Sequence, residues 1–438
     1  MKSICFYFQV HQPFKLKSYR FFDIGSHKDY FDEYATGFLM QQLAAKCYLP
    51  ANELILDLIK KHGKKFRVSF SISGVALEQF EMYSPEVLES FKLLAQTGNV
   101  EFLAETYTHG LVSLKSKEEF SRQVKMHEQK VFELFGVKPK TFRNTELIYN
   151  DEIGNHIFKM GYHAVLTEGA KHILGWKSPN LLYCSSANPK VKLLLKNFQL
   201  SDDIAVRFSE TKWSEWPLTT EKYVTWLNAL GPKTEVVNLF MDYETFGQYQ
   251  AAESGIFQFL KALPKAVFSK TDFNFKTPSE IAMSLQPAST LHVPYAISWA
   301  DEERDVTAWL GNEMQNEAFD KLFDMEPLMR TCQDENIQRD WLRLQSSDNF
   351  YYMSTKWFSE GAVHKNFNPY ESPYDAFINY MNVLSDLEIK LKKACKEQEA
   401  TSELSSASQN KNHKKTRTRK PGNASQAKIK DKKSTSKK

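Results

Sequence analysis

Two carboxylate residues lie two positions apart at the end of an apolar run, where they could take part in chemistry as well as contribute to solubility. The run "EVVNLFM" (235–241) has the composition of a buried strand, and Asp242 and Glu244 follow it directly. Carboxylates that are close together and partly buried repel each other, so the pKa of one of them rises. A protonated acid near an ionised one can perform general acid–base chemistry. The segment "FMDYETFGQY" (240–249) is therefore the first candidate site.

Charged residues also follow the other apolar runs of the chain. They are His11, Glu78, Glu105, His109, Arg143, Glu146 and Glu168, with Asp202 and Asp203 added by a segment interpreted as a loop. At any single position, an acid that caps the next helix is an equally good interpretation. Several acids at one rim of a sheet form a costly like-charge arrangement, which is typical of functional sites because it separates pKa values.

Alternating strands and helices have to position these residues. Short runs rich in β-branched and aromatic residues predict strands. They cover 3–10, 66–72, 99–104, 140–144, 162–168 and 235–241. Helical patterns between them cover 84–98, 116–136 and 150–161. This alternation predicts an α/β fold with parallel strands and helical crossovers, in a barrel or a large open sheet, with chemistry at the carboxyl ends of the strands.

The character of the chain changes near residue 312. Three long amphipathic helical patterns follow, at 312–332, 336–357 and 372–398. They predict a helical C-terminal domain over 312–397, packed on a catalytic domain over 1–311. From 398 to 438 the composition is dominated by Ser, Lys, Asn and Gln without any aromatic residue, which predicts a disordered basic tail.

The net charge of +4 is unevenly distributed along the 438 residues. The last 38 residues hold 12 Lys/Arg and 2 Asp/Glu, and the other 400 hold 45 and 51, so the tail carries +10 and the body −6. The tail lacks interleaved aromatic residues, which favours a solvated extension over a nucleic-acid-binding segment. The overall charge therefore says nothing about the candidate site.

Cysteine usage and hydropathy predict a cytoplasmic protein. The five cysteines are scattered and form no C-x-x-C pair, which is typical of reduced thiols. No apolar run approaches the ~20 residues that a membrane helix needs, so no membrane association is expected. The sequence leaves the oligomeric state open.

Two chemistries use several acids together with aromatic residues. In glycoside hydrolysis, one carboxylic acid protonates the leaving oxygen, and a carboxylate stabilises or attacks the oxocarbenium-like centre. In metal-dependent hydrolysis, His and Asp residues bind a divalent ion. His11 and His109 come singly, without H-x-x-x-H or H-E-x-x-H spacing, and there is no Gly-rich phosphate loop. The carbohydrate interpretation is better supported, and neither a metal nor a cofactor is expected.

Six segments resemble, in order, the motifs of glycoside hydrolase family 57, and the similarity is closest to its intracellular α-amylase-like members. They are "HQPF", "FRNTELIYND", "LSDDIAVRFS", "MDYETFGQY", "SWADEERDVTAWLGN" and "RLQSSDNFYYM", which lie within residues 1–390. The resemblance implies an incomplete (β/α)7 barrel followed by a helical domain. It also implies a retaining enzyme that cleaves α-1,4-glucosidic bonds of starch, glycogen or maltooligosaccharides.

The resemblance implies a role for individual residues. Glu146 of "FRNTEL" would be the nucleophile and Asp242 of "MDYETFG" the general acid/base, ~5–5.5 Å apart if the configuration is retained. The residues assigned to substrate binding are His11, Glu78, His109, Arg143, Glu244, Trp299, Asp301 and Asp348. From the residues alone, Arg143 is expected to keep Glu146 ionised, and Glu244 is expected to raise the pKa of Asp242.

Three alternatives stay open. A 4-α-glucanotransferase would use the same catalytic pair, with a sugar hydroxyl in place of water. A catalytically silent glucan-binding protein and a metal-dependent deacetylase belong to other classes. The segment 248–251 departs from the family pattern after "MDYETFG", which leaves the subsite preference undetermined.

Overall fold

Seven parallel strands close into a ring within residues 2–26, 28–356 and 368–415, which are those that this computed structural model describes. The strands, numbered along the chain, are β1 Lys2–Val10, β2 Val68–Ile72, β3 Val100–Phe102, β4 Phe142–Arg143, β5 Ala164–Glu168, β6 Tyr183–Ser185, β7 Lys192–Lys196, β8 Val236–Asp242, β9 Phe273–Phe275 and β10 Ser289–Leu291. The ring runs β1–β2–β3–β4–β5–β7–β8 and returns to β1.

Two seams of this ring are narrow. Between β3 and β4 the pairing consists of one bridge, Ala104 to Phe142, with Arg143 N–H donating to the Ala104 carbonyl at 2.9 Å. Between β7 and β8 it consists of the single pair Lys196 and Asn238. The other neighbours pair over longer stretches, up to the seven pairs of β1 with β8. The prediction of a seven-stranded barrel is therefore confirmed, and closure, which the sequence left open, is complete through these two seams.

All six predicted strands are present, and four further strands were missed. β6 pairs antiparallel with β7, β10 extends this pair outside the ring, and β9 lies beside the start of β1. The strands of the ring are buried on both faces, as in β1, where every residue from Ser3 to Val10 is buried. Burial on both faces is expected for parallel strands covered by helices.

Helices surround the ring and form the C-terminal region. They are α1 Glu33–Leu43, α2 Leu49–His62, α3 Gly74–Tyr83, α4 Pro85–Gln96, α5 Lys117–Phe135, α6 Asp151–Lys159, α7 Lys171–Leu174, α8 Phe198–Ala205, α9 Thr220–Ala229, α10 Ile256–Lys270, α11 Pro278–Ser284, α12 Thr307–Leu310, α13 Glu313–Asp324, α14 Glu326–Met329, α15 Glu335–Leu344, α16 Ser347–Tyr351 and α17 Pro373–Lys415. Among the described residues, no helix is both long and apolar enough to cross a membrane.

One predicted loop is a helix. The segment containing Asp202 and Asp203 forms α8, because the side chain of Asn197 caps its first turn by accepting the Leu200 N–H at 3.0 Å. Leu200 and Ile204 are both buried and lie four positions apart, so one face of the helix packs on the barrel. The prediction of a loop here was wrong, and Asp202 is held by a helix at the barrel rim.

The predicted helical C-terminal region is confirmed, and its predicted boundary as a domain at residue 312 stays a prediction. It shares one hydrophobic core with the barrel, since Phe120 and Ile153 belong to the same cluster as Trp341 and Leu387. Its last helix, α17, continues to Lys415, past the predicted start of the tail at 398. Residues 398–415 contain neither Gly nor Pro, which permits the helix to extend. The rest of the predicted tail, 416–438, lies outside the described residues.

Candidate active site

Glu146 is held on both sides of its carboxylate. It follows β4 in a 3-10 turn with a left-handed backbone, φ 55° and ψ 26°, which is rare outside glycine and typical of functional positions. Its Oε1 lies 3.1 Å from Nε2 of His109, and its Oε2 accepts the indole N–H of Trp299. The backbone N–H of Trp299 also donates to the Glu146 backbone carbonyl at 3.1 Å. The loop that carries Trp299 therefore fixes the direction of this carboxylate.

His109 is a cation that two carboxylates share. Its Nδ1 lies 2.9 Å from Oε2 of Glu105, and its Nε2 bonds Glu146. Burial lowers the pKa of His109, but the hydrogen bonds to Glu105 and Glu146 outweigh it and raise the pKa to about 9. His109 is therefore an imidazolium at neutral pH and donates from both ring nitrogens.

The same contacts keep the two carboxylates ionised. Burial raises the pKa of Glu146, yet the hydrogen bond and the charge of His109, with the charge of Arg143, bring it below its usual value. Glu105 is fully buried, and the same two cations hold its pKa at about 2 against the effect of burial. The predicted ionised state of Glu146 thus has a physical cause, in which His109 contributes more than Arg143.

Arg143 acts from behind the site. Its side chain has no exposed surface, and its Nη1 lies 3.9 Å from Oε2 of Glu105. Its guanidinium carbon lies 5.1 Å from the ring centroid of Trp299, within the range of a cation–π contact. Because Arg143 is completely buried, the predicted contact with substrate has no support, and its contribution is electrostatic.

Asp242, at the end of β8, has the opposite electrostatic environment to Glu146. Burial and the negative charge of Glu146 raise its pKa to about 6, against the cations Arg143, His109 and Lys196. A carboxyl group with this pKa is about half protonated near pH 6 and mainly ionised at higher pH. The predicted separation of the two carboxyl groups stays a prediction.

Glu244 lies two positions after Asp242 and has hydrogen-bond partners of its own. It is 2% exposed, and its Oε1 accepts hydrogen bonds from the hydroxyl of Tyr48 at 2.5 Å and from Nε2 of Gln12 at 3.3 Å. Burial and the charge of Asp242 raise the pKa of Glu244 to about 8, so it is mainly neutral. Glu146 is the charge that raises the pKa of Asp242 most, and the predicted contribution of Glu244 to that pKa stays a prediction.

A close backbone approach explains the direction of Glu244. The chain turns at Gly247, with φ 107°, and a Cβ there would lie 2.0 Å from the Lys46 carbonyl oxygen. Only glycine permits this contact between the turn and the π-helical segment Ala44–Tyr48. In the unusual stretch 248–251, Gln250 is buried and its Nε2 donates to the Ala205 carbonyl at 2.8 Å. Gln250 therefore tethers the turn to the end of α8.

His11 and Asp348 form one wall of the site. Nε2 of His11 lies 2.9 Å from Oδ2 of Asp348, and Nδ1 lies 2.7 Å from Oγ of Ser73. The His11 ring stacks on His109, with the two centroids 4.2 Å apart. Burial and the charge of His109 lower the pKa of His11, so it is neutral and donates to Asp348.

The helical region supplies Asp348. The helical structure is interrupted between α15 and α16 at Ser346. The Oγ of Ser346 donates to Oδ2 of Asp348 at 2.7 Å. Ser347 N–H donates to the His109 carbonyl at 3.0 Å, so this break is docked on the barrel. Burial raises the pKa of Asp348, but its interactions with His11 and Ser346 hold it below the usual value. The predicted grouping of His11, His109 and Asp348 is therefore present.

Two predicted binding residues have other partners. Glu78, on α3, accepts a hydrogen bond from the Tyr107 hydroxyl at 2.8 Å and pairs with Nη2 of Arg343 at 2.9 Å. Asp301 lies in the loop before α12, with its Oδ2 3.5 Å from Nζ of Lys356. Within the described part of the chain, neither carboxylate is hydrogen-bonded to the Glu146–His109 group.

Sequence reasoning missed Lys196. It ends β7, is 6% exposed, and its Nζ lies 3.0 Å from Oδ1 of Asp202 and 5.0 Å from the Trp299 ring centroid. Its positive charge lowers the pKa of Asp242. The signal was the apolar run "VKLLLK" at 191–196, a buried strand with a lysine near each end.

The remaining strand-end acids are structural or peripheral. Glu168 ends β5 and accepts the Gly169 N–H at 2.7 Å, and burial raises its pKa to about 7. Asp203 pairs with Arg207 one helical turn later, at 2.7 Å. Within the described residues, no group of three or more His, Cys, Asp or Glu side chains is arranged to hold a metal ion.

The chain is similar in sequence to known proteins. A family model described as "Glycosyl hydrolase family 57" matches residues 5–294. The chain is 42% identical over 405 residues to the "Putative alpha-amylase" of Methanocaldococcus jannaschii, which covers 89% of this chain and 85% of that protein.

Solved structures share the fold. The crystal structure of a GH57 branching enzyme from Thermococcus kodakaraensis superposes with a TM-score of 0.63 at 13% identity, over 82% of this chain and 86% of that one. That of 4-alpha-glucanotransferase from Thermococcus litoralis gives 0.62 at 16% identity, over 80% of this chain and 56% of that one. At these identities the likeness concerns the architecture of the chain.

Proposed function

This chain belongs to glycosyl hydrolase family 57, and we propose that it cleaves α-1,4-glucosidic bonds of α-glucans such as starch, glycogen or maltooligosaccharides, with retention of configuration. One observation carries this proposal. The environment of Glu146 lowers its pKa, whereas the neighbouring Asp242 has a pKa raised to about 6. Two carboxyl groups with opposite shifts are what a retaining glycosidase needs.

The first half-reaction uses both groups. The carboxylic acid of Asp242 donates its proton to the glycosidic oxygen as the bond to the anomeric carbon breaks. The carboxylate of Glu146 attacks that carbon from the opposite face and forms a covalent glycosyl-enzyme. Its hydrogen bonds from His109 and Trp299 fix the direction of attack and keep it unprotonated.

The second half-reaction reverses the roles. After Asp242 has lost its proton, it acts as the base that deprotonates an incoming water. The glycosyl–Glu146 ester no longer carries a negative charge, so the repulsion that raised the pKa of Asp242 falls. The release of this repulsion suits Asp242 to act first as an acid and then as a base, with its proton restored at the end of the cycle.

His11 and Asp348, together called the histidine wall, supply hydrogen bonds to the sugar in this proposal. His11 and Asp348 are partly exposed at their side chains, 8% and 24% respectively, and both are locked by partners on their inner sides. Fixed polar groups of this kind orient a sugar ring against the catalytic pair. The neutral form of His11 gives this wall no extra positive charge.

Azide rescue tests the two roles. With an aryl α-maltoside as substrate, Glu146→Ala should lose at least about 10³-fold in kcat/KM and yield the β-glycosyl azide when azide is added. Asp242→Ala should be rescued to the α-glycosyl azide, because azide then attacks the glycosyl-enzyme. The same anomer from both variants, or unchanged turnover in Glu146→Ala, would contradict the assignment.

Product analysis separates hydrolysis from transfer. On maltoheptaose, hydrolysis gives only shorter products and new reducing ends, whereas a 4-α-glucanotransferase also gives longer chains. A silent glucan-binding protein gives neither product but retains affinity for the oligosaccharide. Metal-dependent deacetylation is distinguished by loss of activity with a chelator, to which the two-carboxylate reaction is insensitive.

The five free cysteines support a cytoplasmic location within this proposal. Unpaired thiols are typical of reducing compartments. Fractionation of source cells, with detection by an antibody to the chain, would place it with the cytosolic markers. Enrichment in the culture medium would contradict this part of the proposal.

A further inference from the structure

Two of the five cysteines lie against one backbone carbonyl. The N–H of Cys332 donates to the oxygen of Leu328 at 3.0 Å, and Sγ of Cys395 lies 3.9 Å from the same oxygen. Cys332 follows α14 in the turn that leads to α15, and Cys395 is on α17. The Leu328 carbonyl is therefore the point at which the segments that carry the two cysteines meet.

Further hydrogen bonds hold the two segments together. Gln398 follows Cys395 by one helical turn, and its Nε2 donates to the carbonyl of Thr331 at 3.1 Å. Its Oε1 accepts the N–H of Gln333 at 3.2 Å. The residues on both sides of Cys332 are thus fixed to the helical turn that carries Cys395, so the thiols can meet without a large rearrangement.

The two thiols differ in their access to solvent. Cys332 is 3% exposed, whereas Cys395 is partly exposed on α17. A reagent therefore reaches Cys395 first, and Cys332 is placed behind it as a second thiol. Cys5, Cys47 and Cys184 are buried elsewhere in the chain, so they provide an internal comparison.

We propose that Cys332 and Cys395 form an intramolecular disulfide when the protein meets a small-molecule disulfide. The Cys395 thiolate attacks one sulfur of the reagent, which gives a mixed disulfide and releases one thiol. Cys332 then attacks the sulfur of Cys395, closes the protein disulfide and releases the second thiol. Two protein thiols are oxidised, one reagent disulfide is reduced, and the protons lost by the cysteines leave on the released thiols.

The bond would join α17 to a part of the fold that supports the active site. The Tyr380 hydroxyl on α17 donates to the Leu344 carbonyl at 2.7 Å, and its ring packs against Phe350 with the centroids 5.7 Å apart. These contacts hold the end of α15 and α16, where Asp348 meets His11. A cross-link here lowers the conformational entropy of the unfolded chain, so the thermal midpoint of unfolding rises.

Thiol counting with oxidised glutathione tests the proposal on the full chain. Titration in denaturant should find five thiols before oxidation and three after it, and dithiothreitol should restore five. Peptide mapping without reductant should join the peptide of Cys332 to that of Cys395. The oxidised protein should melt at a higher temperature than the reduced one.

Variants separate this pair from general oxidation. In Cys395→Ser the cross-linked peptide and the rise in melting temperature should both disappear, and in Cys332→Ser the Cys395 thiol should stop at the mixed disulfide. Cys184→Ser is the matched control and should still form the cross-link. Five thiols after oxidation, a cross-link that includes Cys5, Cys47 or Cys184, or a bond between two chains would overturn the proposal. The peptide map of the wild type decides the matter even if a variant fails to fold.

Discussion

Nε2 of His109 lies 3.1 Å from Oε1 of Glu146, and the opposite ring nitrogen bonds Glu105. The buried, ionised Glu105 keeps His109 protonated, and the protonated His109 keeps Glu146 ionised. Glu105 therefore acts on Glu146, the proposed nucleophile, through His109 and not by direct contact. In the proposed reaction, this relationship defines the pH range in which Glu146 can attack.

Replacing His109 should move the acidic limb of the pH profile. His109→Gln keeps one donor but removes the positive charge, so the pKa of Glu146 rises. Because the reaction needs ionised Glu146, the acidic limb of kcat/KM moves to higher pH. Loss of a charged hydrogen bond of about 1.5–3 kcal/mol corresponds to roughly a 10- to 100-fold loss in kcat/KM. Steady-state kinetics across pH on an aryl α-maltoside measure both effects.

A second histidine serves as the control for this variant. His156, on α6, bonds the Ser121 hydroxyl at 2.7 Å and has no contact with the candidate site. His156→Gln should leave the acidic limb in place. An unchanged limb in His109→Gln would mean that another group keeps Glu146 ionised.

Glu244→Gln should be tolerated near neutral pH. Glu244 has a pKa of about 8, so glutamine reproduces the shape and charge of the form already present. We expect kcat at pH 6 within about threefold of the wild type, whereas Asp242→Asn should fall by 10²-fold or more. A loss in Glu244→Gln as large as in Asp242→Asn would instead indicate a direct catalytic role for Glu244, which was predicted only to bind substrate.

The same variant has a signature in stability. The pKa of Glu244 in the folded protein is raised above its unfolded value, so its contribution is fully present below pH 4.5 and is lost as pH rises toward 8. The wild type should therefore lose stability across this window, and Glu244→Gln should lose less. Denaturant unfolding at several pH values measures the difference, and parallel curves for the two proteins would contradict it.

Lys196→Gln should move the alkaline limb. The positive charge of Lys196 lowers the pKa of Asp242, so its removal raises that pKa. The first half-reaction needs protonated Asp242, and the alkaline limb of kcat/KM therefore moves to higher pH. Lys192→Gln is a matched control on the same strand, because its Nζ bonds the Leu285 carbonyl at 3.3 Å. A shift in the control, or none in Lys196→Gln, counts against this role.

Glu78→Gln should affect stability more than catalysis. Its ion pair with Arg343 is largely buried, with side chains 22% and 12% exposed, and links α3 to α15. A double-mutant cycle with Arg343→Met should give a coupling of about 1–3 kcal/mol in the free energy of unfolding. KM for maltoheptaose should stay within twofold, and a large rise in KM with normal stability would return Glu78 to the substrate-binding group.

The sequence was sufficient for most of the barrel because six of its seven strands lie in short runs rich in β-branched and aromatic residues. β7 was missed since only three leucines lie between Lys192 and Lys196. These lysines find partners inside the protein, at the Ala282 carbonyl and at Asp202, and a sequence does not reveal such neutralisation. The helix that contains Asp202 was missed although its cap and its buried face are local in the sequence. Its adjacent acids, Asp202 and Asp203, suggested a loop, and the partner of Asp202 is not visible in the sequence.

For the candidate site, the sequence motifs indicated residues but not the directions of their side chains. Glu146 and the histidine wall were assigned to one site because their segments resemble motifs of one family. The direction of Glu244 depends on the turn at Gly247 and on Tyr48, which is 196 positions away. Glu78 likewise meets Arg343 across 265 positions. Contacts at such separations are set by the packing of the whole chain.

The bond between His11 and Asp348 joins positions 337 apart. Closing a loop of this length costs entropy before it gains contacts, so such contacts form late, after neighbouring strands and helices have paired. The strand that leads to His11 must wait for a segment made 337 residues later before this wall exists. When the denatured protein is diluted into buffer, the return of hydrolysis should lag behind the return of helical circular dichroism.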